Sequence, residues 1–258
     1  MCVNYRPATP AQLQNFFKVR PGNFQTPEES FPGYAAPMIL GDEAVKACFG
    51  LIPHWAKDSK LSRSTYNARS ETVADKPSFR QAWRLGQFCL VPMQAFYEPN
   101  YESGAAVRWK IERRDQQPFA VAGLWDRWLS PTGEPVLSFT MLTVNADAHP
   151  LMKRFHKPGE EKRSIVAIAQ EQWGDWQYAT PEQATKMLLV SQADLFQANL
   201  LQAEPAPMSR RAAHLDQKLI DKGPVKAATK ASTKRAATTL ATPSSTPIQQ
   251  NIDLFGDG

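Results

Sequence analysis

The chain has 258 residues, of which 42% are apolar, and it carries a formal net charge of +5. This length and composition can bury one substantial core, and the longest apolar runs are strand-sized, which excludes a helical membrane span. The three cysteines form no C-x-x-C pair and the first residues lack a secretory pattern, so we expect a cytoplasmic protein without disulfides, metal or other cofactor.

The hydrophobic pattern predicts few helices and many strands. In chain order it predicts a helix opened by a capping box at residues 9–12, a strand at 45–51, a helix at 78–85, strands at 88–91, 107–112, 119–124, 136–144 and 165–169, and a helix from a second capping box at residue 180 to residue 190. Successive strands without clear strand–helix–strand units favour an α+β fold with a curved, largely antiparallel sheet.

Composition divides the chain into two parts. Residues 2–221 are predicted to form one domain, whereas residues 222–258 are predicted to be a disordered basic tail, poor in large apolar residues. The tail holds five cations and two acids, so only about two positive charges remain on the predicted domain. Any nucleic-acid surface of the domain must therefore be a local patch.

Cys2 is the most informative residue. Its small size predicts removal of Met1, which would leave a terminal cysteine whose α-amine (pKa about 7.7–8.0) and thiol (pKa about 8.5) are separated by two carbons. Such a 1,2-aminothiol traps an aldehyde in two steps: the amine forms a Schiff base, and the thiol closes on the imine carbon to give a thiazolidine.

Several further motifs follow Cys2 in a fixed order. They are the turn Gly50-Leu51-Ile52-Pro53-His54-Trp55, the segment Asn67-Ala68-Arg69, the segment Phe96-Tyr97-Glu98, the strand end Gly123-Leu124-Trp125, and the block from Thr143 to His156. Together they resemble the SOS response-associated peptidase family, whose members shield abasic sites in single-stranded DNA. The resemblance covers about residues 2–212.

The resemblance implies a compact, barrel-like sheet with surrounding helices, and a covalent link between the N-terminal cysteine and the ring-opened abasic sugar. By motif, Cys2 is the nucleophile, Asn67 positions its N-terminal group or the adduct, and Glu98 is the general acid/base. His156 assists opening of the sugar ring, for which an imidazole is suited near neutral pH. Val3, Pro99 and the charged segment 157–163 depart from the usual family pattern.

The predicted partner is single-stranded DNA that contains abasic sites, with no membrane partner and a location at the nucleoid. Candidate DNA contacts are Arg69, Arg63, Lys60, Arg84, Arg163 and Trp55, the last either stacking on bases or lying in the core. In the tail, Ile252, Leu254 and Phe255 resemble a short peptide that docks into the replication sliding clamp, although Asn251 stands where that motif has Gln.

Two other function classes remain open. Cys2 could serve an N-terminal-nucleophile peptidase or amidohydrolase, including self-removal of Met1. Alternatively, the domain could bind single-stranded DNA without any covalent step.

Overall fold

The computed structural model describes residues 2–193 and 201–207. Within them the strands are β1 (Asn4–Pro7), β2 (Arg20–Pro21), β3 (Ala35–Leu40), β4 (Glu43–Phe49), β5 (Asn67–Arg69), β6 (Phe88–Asn100), β7 (Val107–Arg113), β8 (Phe119–Leu129), β9 (Pro135–Asn145), β10 (Arg163–Ile165), β11 (Ala167–Ile168) and β12 (Leu201–Pro205). The α-helices of the same residues are α1 (Pro10–Asn15), α2 (Arg80–Arg84), α3 (Trp173–Gln177) and α4 (Pro181–Ala193). The predicted tail, with Ile252, Leu254 and Phe255, lies outside the described residues.

Five strands close into a barrel. Their order is β3, β4, β9, β8 and β6, and a pairing between β6 and β3 completes the ring. All these pairings are antiparallel except that of β4 with β9. The remaining strands extend the sheet around the barrel. The predicted α+β fold with a barrel-like, largely antiparallel sheet is confirmed.

β6 is the central strand of the architecture. Its 13 residues pair with β1, β3, β7 and β8, and nearly all of its side chains are buried. A strand that is covered on both faces has a nearly continuous apolar sequence, which explains the run from Phe88 to Tyr97. Glu98 stands near the end of this strand, so a carboxylate is held inside an otherwise apolar framework.

Local sequence signals fix two turns of the chain. At the start of α1 the Thr9 hydroxyl accepts the Gln12 amide N–H at 3.2 Å, and the Gln12 side chain accepts the Thr9 N–H at 2.9 Å, which confirms the predicted capping box. After β4, Gly50 has a φ of +111°, and a Cβ there would lie 1.9 Å from the Ser62 carbonyl oxygen. Only glycine fits that position.

Two predicted elements differ from the structure. The prediction of a single strand at 165–169 is wrong, because the chain changes its pairing partner there. It forms two short strands instead: β10 pairs with β9, and β11 pairs with β8. Val166 lies between them, and its carbonyl accepts the Ala122 N–H at 2.8 Å. The helix predicted at 78–85 is shorter, Arg80–Arg84. No helix among the described residues has the length and apolar character needed to cross a membrane.

Candidate functional site

Cys2 is buried directly before β1 and is held by Asn67. The Asn67 side-chain amide donates to the Cys2 carbonyl at 2.8 Å, and Cys2 is only 1% exposed. Asn67 Oδ1 is buried and accepts no hydrogen bond from residues 2–193 and 201–207. A buried amide oxygen of this kind is available to a donor that approaches the start of the chain.

The sheet register explains why these residues meet. β1 runs antiparallel to β6 with Asn4 opposite Tyr97, so the start of the chain lies beside the end of β6 that carries Glu98. β5 runs parallel to β9, which carries Asn67 to the same end of the barrel. Residues that are 31 to 96 positions apart along the chain are thereby brought to one site around Cys2.

Glu98 and His156 form a buried pair. Glu98 Oε2 lies 3.1 Å from His156 Nε2, and the two residues are 3% and 8% exposed. The His156 backbone N–H donates to the Pro99 carbonyl at 2.9 Å, which ties the histidine to β6. His156 adopts a φ of +65°, a left-handed conformation that costs a non-glycine residue roughly 1–3 kcal/mol and is retained only where the surroundings enforce it.

Lys162 helps to hold His156 in this left-handed conformation. The sequence did not predict that role. Its ammonium donates to the His156 carbonyl at 3.2 Å and to the Lys157 carbonyl at 2.8 Å, and its backbone N–H donates to Asp147 Oδ1 at 2.9 Å. The charged segment 157–163 therefore folds back on His156. The only signal in the sequence was that this segment is longer and more charged than the family pattern.

Burial determines the state of the Cys2 thiol. Loss of hydration raises the pKa of this thiol far above its usual range, and the nearby Glu98 carboxylate raises it further. The thiol is therefore protonated near neutral pH. Among the described residues, no group of three or more His, Cys, Asp or Glu side chains is arranged to hold a metal ion.

Arg163 requires a correction of the predicted DNA contacts. It is 2% exposed, and its guanidinium donates to Glu71, Glu161 and the Thr143 carbonyl at 2.7–2.8 Å. A buried guanidinium whose hydrogen bonds are directed to these acceptors does not face a phosphate. We assign Arg163 a structural role, in which it joins β10 to β9 and to the segment after β5.

The other predicted contacts are exposed. Arg63 and Arg84 are exposed cations, Lys60 forms a surface ion pair with Asp58, and Arg69 forms one with Glu161 at 2.8 Å. Such surface ion pairs contribute little to the free energy of folding and open readily.

Trp55 is 51% exposed, so it is not the core aromatic that the sequence left open. Its turn is held by buried Asp126, which accepts the His54 N–H at 3.1 Å. Residues 123–125, which the sequence predicted to end a strand, lie inside β8, and the sequence did not predict a role for Asp126 that follows them.

Comparisons with known proteins agree on the family. A family model described as SOS response associated peptidase (SRAP) matches residues 1–205. The abasic site processing proteins YoqW and YoaM of Bacillus subtilis are 33% and 31% identical over 132 and 157 residues, which are 51% and 59% of this chain. The abasic site processing protein HMCES of Gallus gallus is 24% identical over 66% of the chain.

These alignments span 55%, 66% and 60% of the three relatives' own lengths. A crystal structure of a protein from Bordetella bronchiseptica matches with a TM-score of 0.70 and 32% identity, covering 80% of this chain and 100% of that one. A protein from Bacteroides thetaiotaomicron, 21% identical, shares the fold with a TM-score of 0.67 over 86% of this chain and 95% of its own.

Proposed function

The chain belongs to the SOS response associated peptidase family, and from that premise we propose that its N-terminal Cys2 captures abasic sites in single-stranded DNA as a covalent adduct. The relatives that carry the name abasic site processing protein support the substrate class. The observation that carries the proposal is the juxtaposition of buried Cys2 with Asn67 and with the Glu98–His156 pair.

The proposed reaction requires removal of Met1, which frees the Cys2 amine. The abasic sugar is mostly a closed hemiacetal. His156 delivers a proton to the ring oxygen as the C–O bond breaks, and the C1 hydroxyl gives its proton to Glu98 as it becomes the aldehyde carbonyl. The amine then adds to the aldehyde carbon, and one of its protons passes to the carbonyl oxygen. Glu98 protonates the resulting hydroxyl, which leaves as water, while the nitrogen gives a proton to His156 and an imine remains. Each side chain thus returns to its starting state, and the two stay 3.1 Å apart.

The raised pKa of the Cys2 thiol sets the order of events. A protonated thiol is a poor nucleophile towards the aldehyde, so the amine reacts first. The sulfur then adds to the imine carbon while its proton passes to the nitrogen, which gives a five-membered thiazolidine. One water is released overall. Asn67 holds the Cys2 carbonyl throughout, which fixes the direction of the amine.

The DNA contacts of the proposal come from exposed residues. Arg69, Arg63, Lys60 and Arg84 supply phosphate contacts, which position the strand without reading its sequence. Trp55 stands out of the surface on a rigid turn and stacks on a base beside the lesion. The abasic nucleotide itself has no base, so the strand kinks there at low cost.

A denaturing gel tests the proposal directly. Purified protein, confirmed by mass spectrometry to begin at Cys2, is incubated with a single-stranded oligonucleotide that carries one abasic site. We expect a shifted band that survives denaturation. Cys2→Ala should abolish the stable product, and Cys2→Ser should leave only a Schiff base that borohydride traps. Cys48→Ala, which removes another buried thiol, is the matched control.

The same gel separates the alternatives. A peptidase would release an amide-cleavage product with no dependence on DNA, and a simple binding module would give salt-sensitive binding without a shifted band. Either result, obtained with protein that begins at Cys2, would contradict the proposal.

We also propose that Ile252, Leu254 and Phe255 dock into the sliding clamp at the end of a polar tether. A peptide of residues 246–258 should bind purified clamp, and the same peptide with Leu254→Ala and Phe255→Ala should not. No binding of the unchanged peptide at high micromolar concentration would end this part of the proposal.

A further inference from the structure

A groove of about 630 Å³ lies beside β1, outside the site described above. β1 forms its inner side through Arg6 and Pro7, and residues 24–28 form its outer side. The two sides are joined where Tyr5 and Ser30 exchange backbone hydrogen bonds of 2.8 and 3.2 Å. The volume falls within the range of roughly 300–1,000 Å³ that is typical of ligand sites.

Arg6 is the cation of the groove's lining. Its Nε is buried and donates to no acceptor within residues 2–193 and 201–207. The neighbouring Arg108 is the contrast, because it donates to Glu29, Asn4 and the Pro207 carbonyl at 2.6–2.8 Å. A buried guanidinium N–H without an acceptor is costly, so an anionic ligand at this position would relieve the cost.

The opposite side of the groove adds a second unsatisfied group and an aromatic ring. The Thr26 hydroxyl is buried without a hydrogen-bond partner in the described part of the chain, and it lines the same groove. Phe24 is partly exposed there beside Pro10 and Pro27. The groove thus combines a cation and a hydroxyl for a phosphate with an apolar wall for a base; its one carboxylate, Glu28, is exposed.

We propose that this groove binds one nucleotide of the DNA strand that flanks the abasic site, with the phosphate on Arg6 and Thr26 and the base against Phe24. The inference rests on the proposed function. Arg6 lies four positions after Cys2, which in extended chain is a distance of about 13 Å. A single-strand-binding fold covers roughly 4–16 nucleotides, so one strand can reach both Cys2 and this groove.

Equilibrium binding tests the groove without the covalent step. Fluorescence anisotropy is measured with oligonucleotides that carry a non-reactive tetrahydrofuran abasic analogue and are lengthened one nucleotide at a time on either side. Loss of one phosphate contact lowers the slope of log affinity against log salt by about 0.7, which corresponds to about fivefold weaker binding at 0.1 M salt. We expect this loss in Arg6→Gln, whereas Thr26→Val should weaken binding without changing the slope, because its hydroxyl carries no charge. Both effects should appear only for oligonucleotides long enough on one side.

Controls separate the possible failures. Arg6→Lys should retain the salt slope, and Lys186→Gln, which removes one exposed cation from α4, should behave as wild type. An unchanged slope and length dependence in Arg6→Gln, with wild-type thermal stability, would overturn the groove proposal while leaving adduct formation intact. If wild-type protein forms no adduct with reactive abasic DNA, the proposed function fails, whatever the groove binds.

Discussion

Glu98 Oε2 lies 3.1 Å from His156 Nε2 in a part of the barrel where both side chains are almost completely buried. The two residues come from distant parts of the chain, and the Pro99 carbonyl fixes the second to the strand that carries the first. A proton can pass between them without entering bulk water, which suits two successive acid–base steps at one carbon.

Glu98→Gln tests the acid–base role. The amide keeps the shape and a hydrogen bond to His156 but supplies no carboxylic proton, so we expect adduct formation to slow by about 10²–10⁴. Single-turnover cross-linking at saturating DNA measures the rate, and anisotropy should show unchanged binding. Glu134→Gln, at an exposed turn, is the control. A rate within twofold of wild type would exclude Glu98 as the acid.

Lys162→Met tests the support of His156. Loss of the two hydrogen bonds to the His156 and Lys157 carbonyls should let the left-handed turn relax. Small displacements of a reacting group are expensive, so we expect cross-linking to slow by about ten- to a hundredfold. Lys162→Arg should restore most of the rate, and Lys153→Met should not change it. Equal losses in Lys162→Met and Lys162→Arg would contradict a positioning role.

Trp55→Ala separates DNA contact from core packing. Because the ring is half exposed, the thermal stability should stay near that of wild type. Affinity for single-stranded DNA should fall by about 1–3 kcal/mol, the usual value of one base stacked on an aromatic ring. Leu189→Ala removes another exposed apolar side chain and is expected to leave affinity unchanged. Loss of stability instead of affinity would show that Trp55 is structural.

Arg69 and Arg163 are expected to behave in opposite ways. Arg69→Gln should reduce the salt slope of DNA binding by about 0.7 and leave stability unchanged, because its ion pair is on the surface. Arg163→Gln should leave the slope intact but lower the free energy of unfolding by about 2–4 kcal/mol, because Glu71, Glu161 and the Thr143 carbonyl lose a buried partner. Urea denaturation and anisotropy measure the two effects. The reverse pattern would restore Arg163 as a DNA contact.

Buried tyrosine and cysteine groups predict a loss of stability at alkaline pH. Burial raises the pKa of the Tyr5 hydroxyl and of the Cys2 and Cys89 thiols, whereas in the unfolded chain these groups ionise near 10.0 and 9.0. The unfolded state then releases protons that the folded state retains, so stability falls as the pH rises above about 9.

Each group contributes up to about 1.4 kcal/mol per pH unit. Tyr5→Phe should therefore flatten the decline above pH 10 in urea denaturation. Tyr178→Phe, which removes an exposed hydroxyl, should follow the wild-type curve. Identical declines for all three proteins would show that Tyr5 does not contribute to the loss of stability at alkaline pH.

Local features of the fold were predictable and long-range features were not. The capping boxes at Thr9 and Thr180 involve residues three apart, so the sequence predicts them directly. The split between β10 and β11 depends on which strands lie alongside, which no local pattern contains. Arg163 illustrates the same limit at the site: its partner Glu71 lies 92 residues away, and without that contact a basic residue near His156 resembles a phosphate ligand.

The long path of the chain around β6 has a consequence for biosynthesis. The amide that holds Cys2, the carboxylate and the imidazole are encoded at positions 67, 98 and 156, so at least 156 residues must leave the ribosome before all of them can come together. Distant strand pairings also make barrel closure slow. A nascent chain therefore carries Cys2 through synthesis without the Asn67 contact that holds it, buried, in the folded protein.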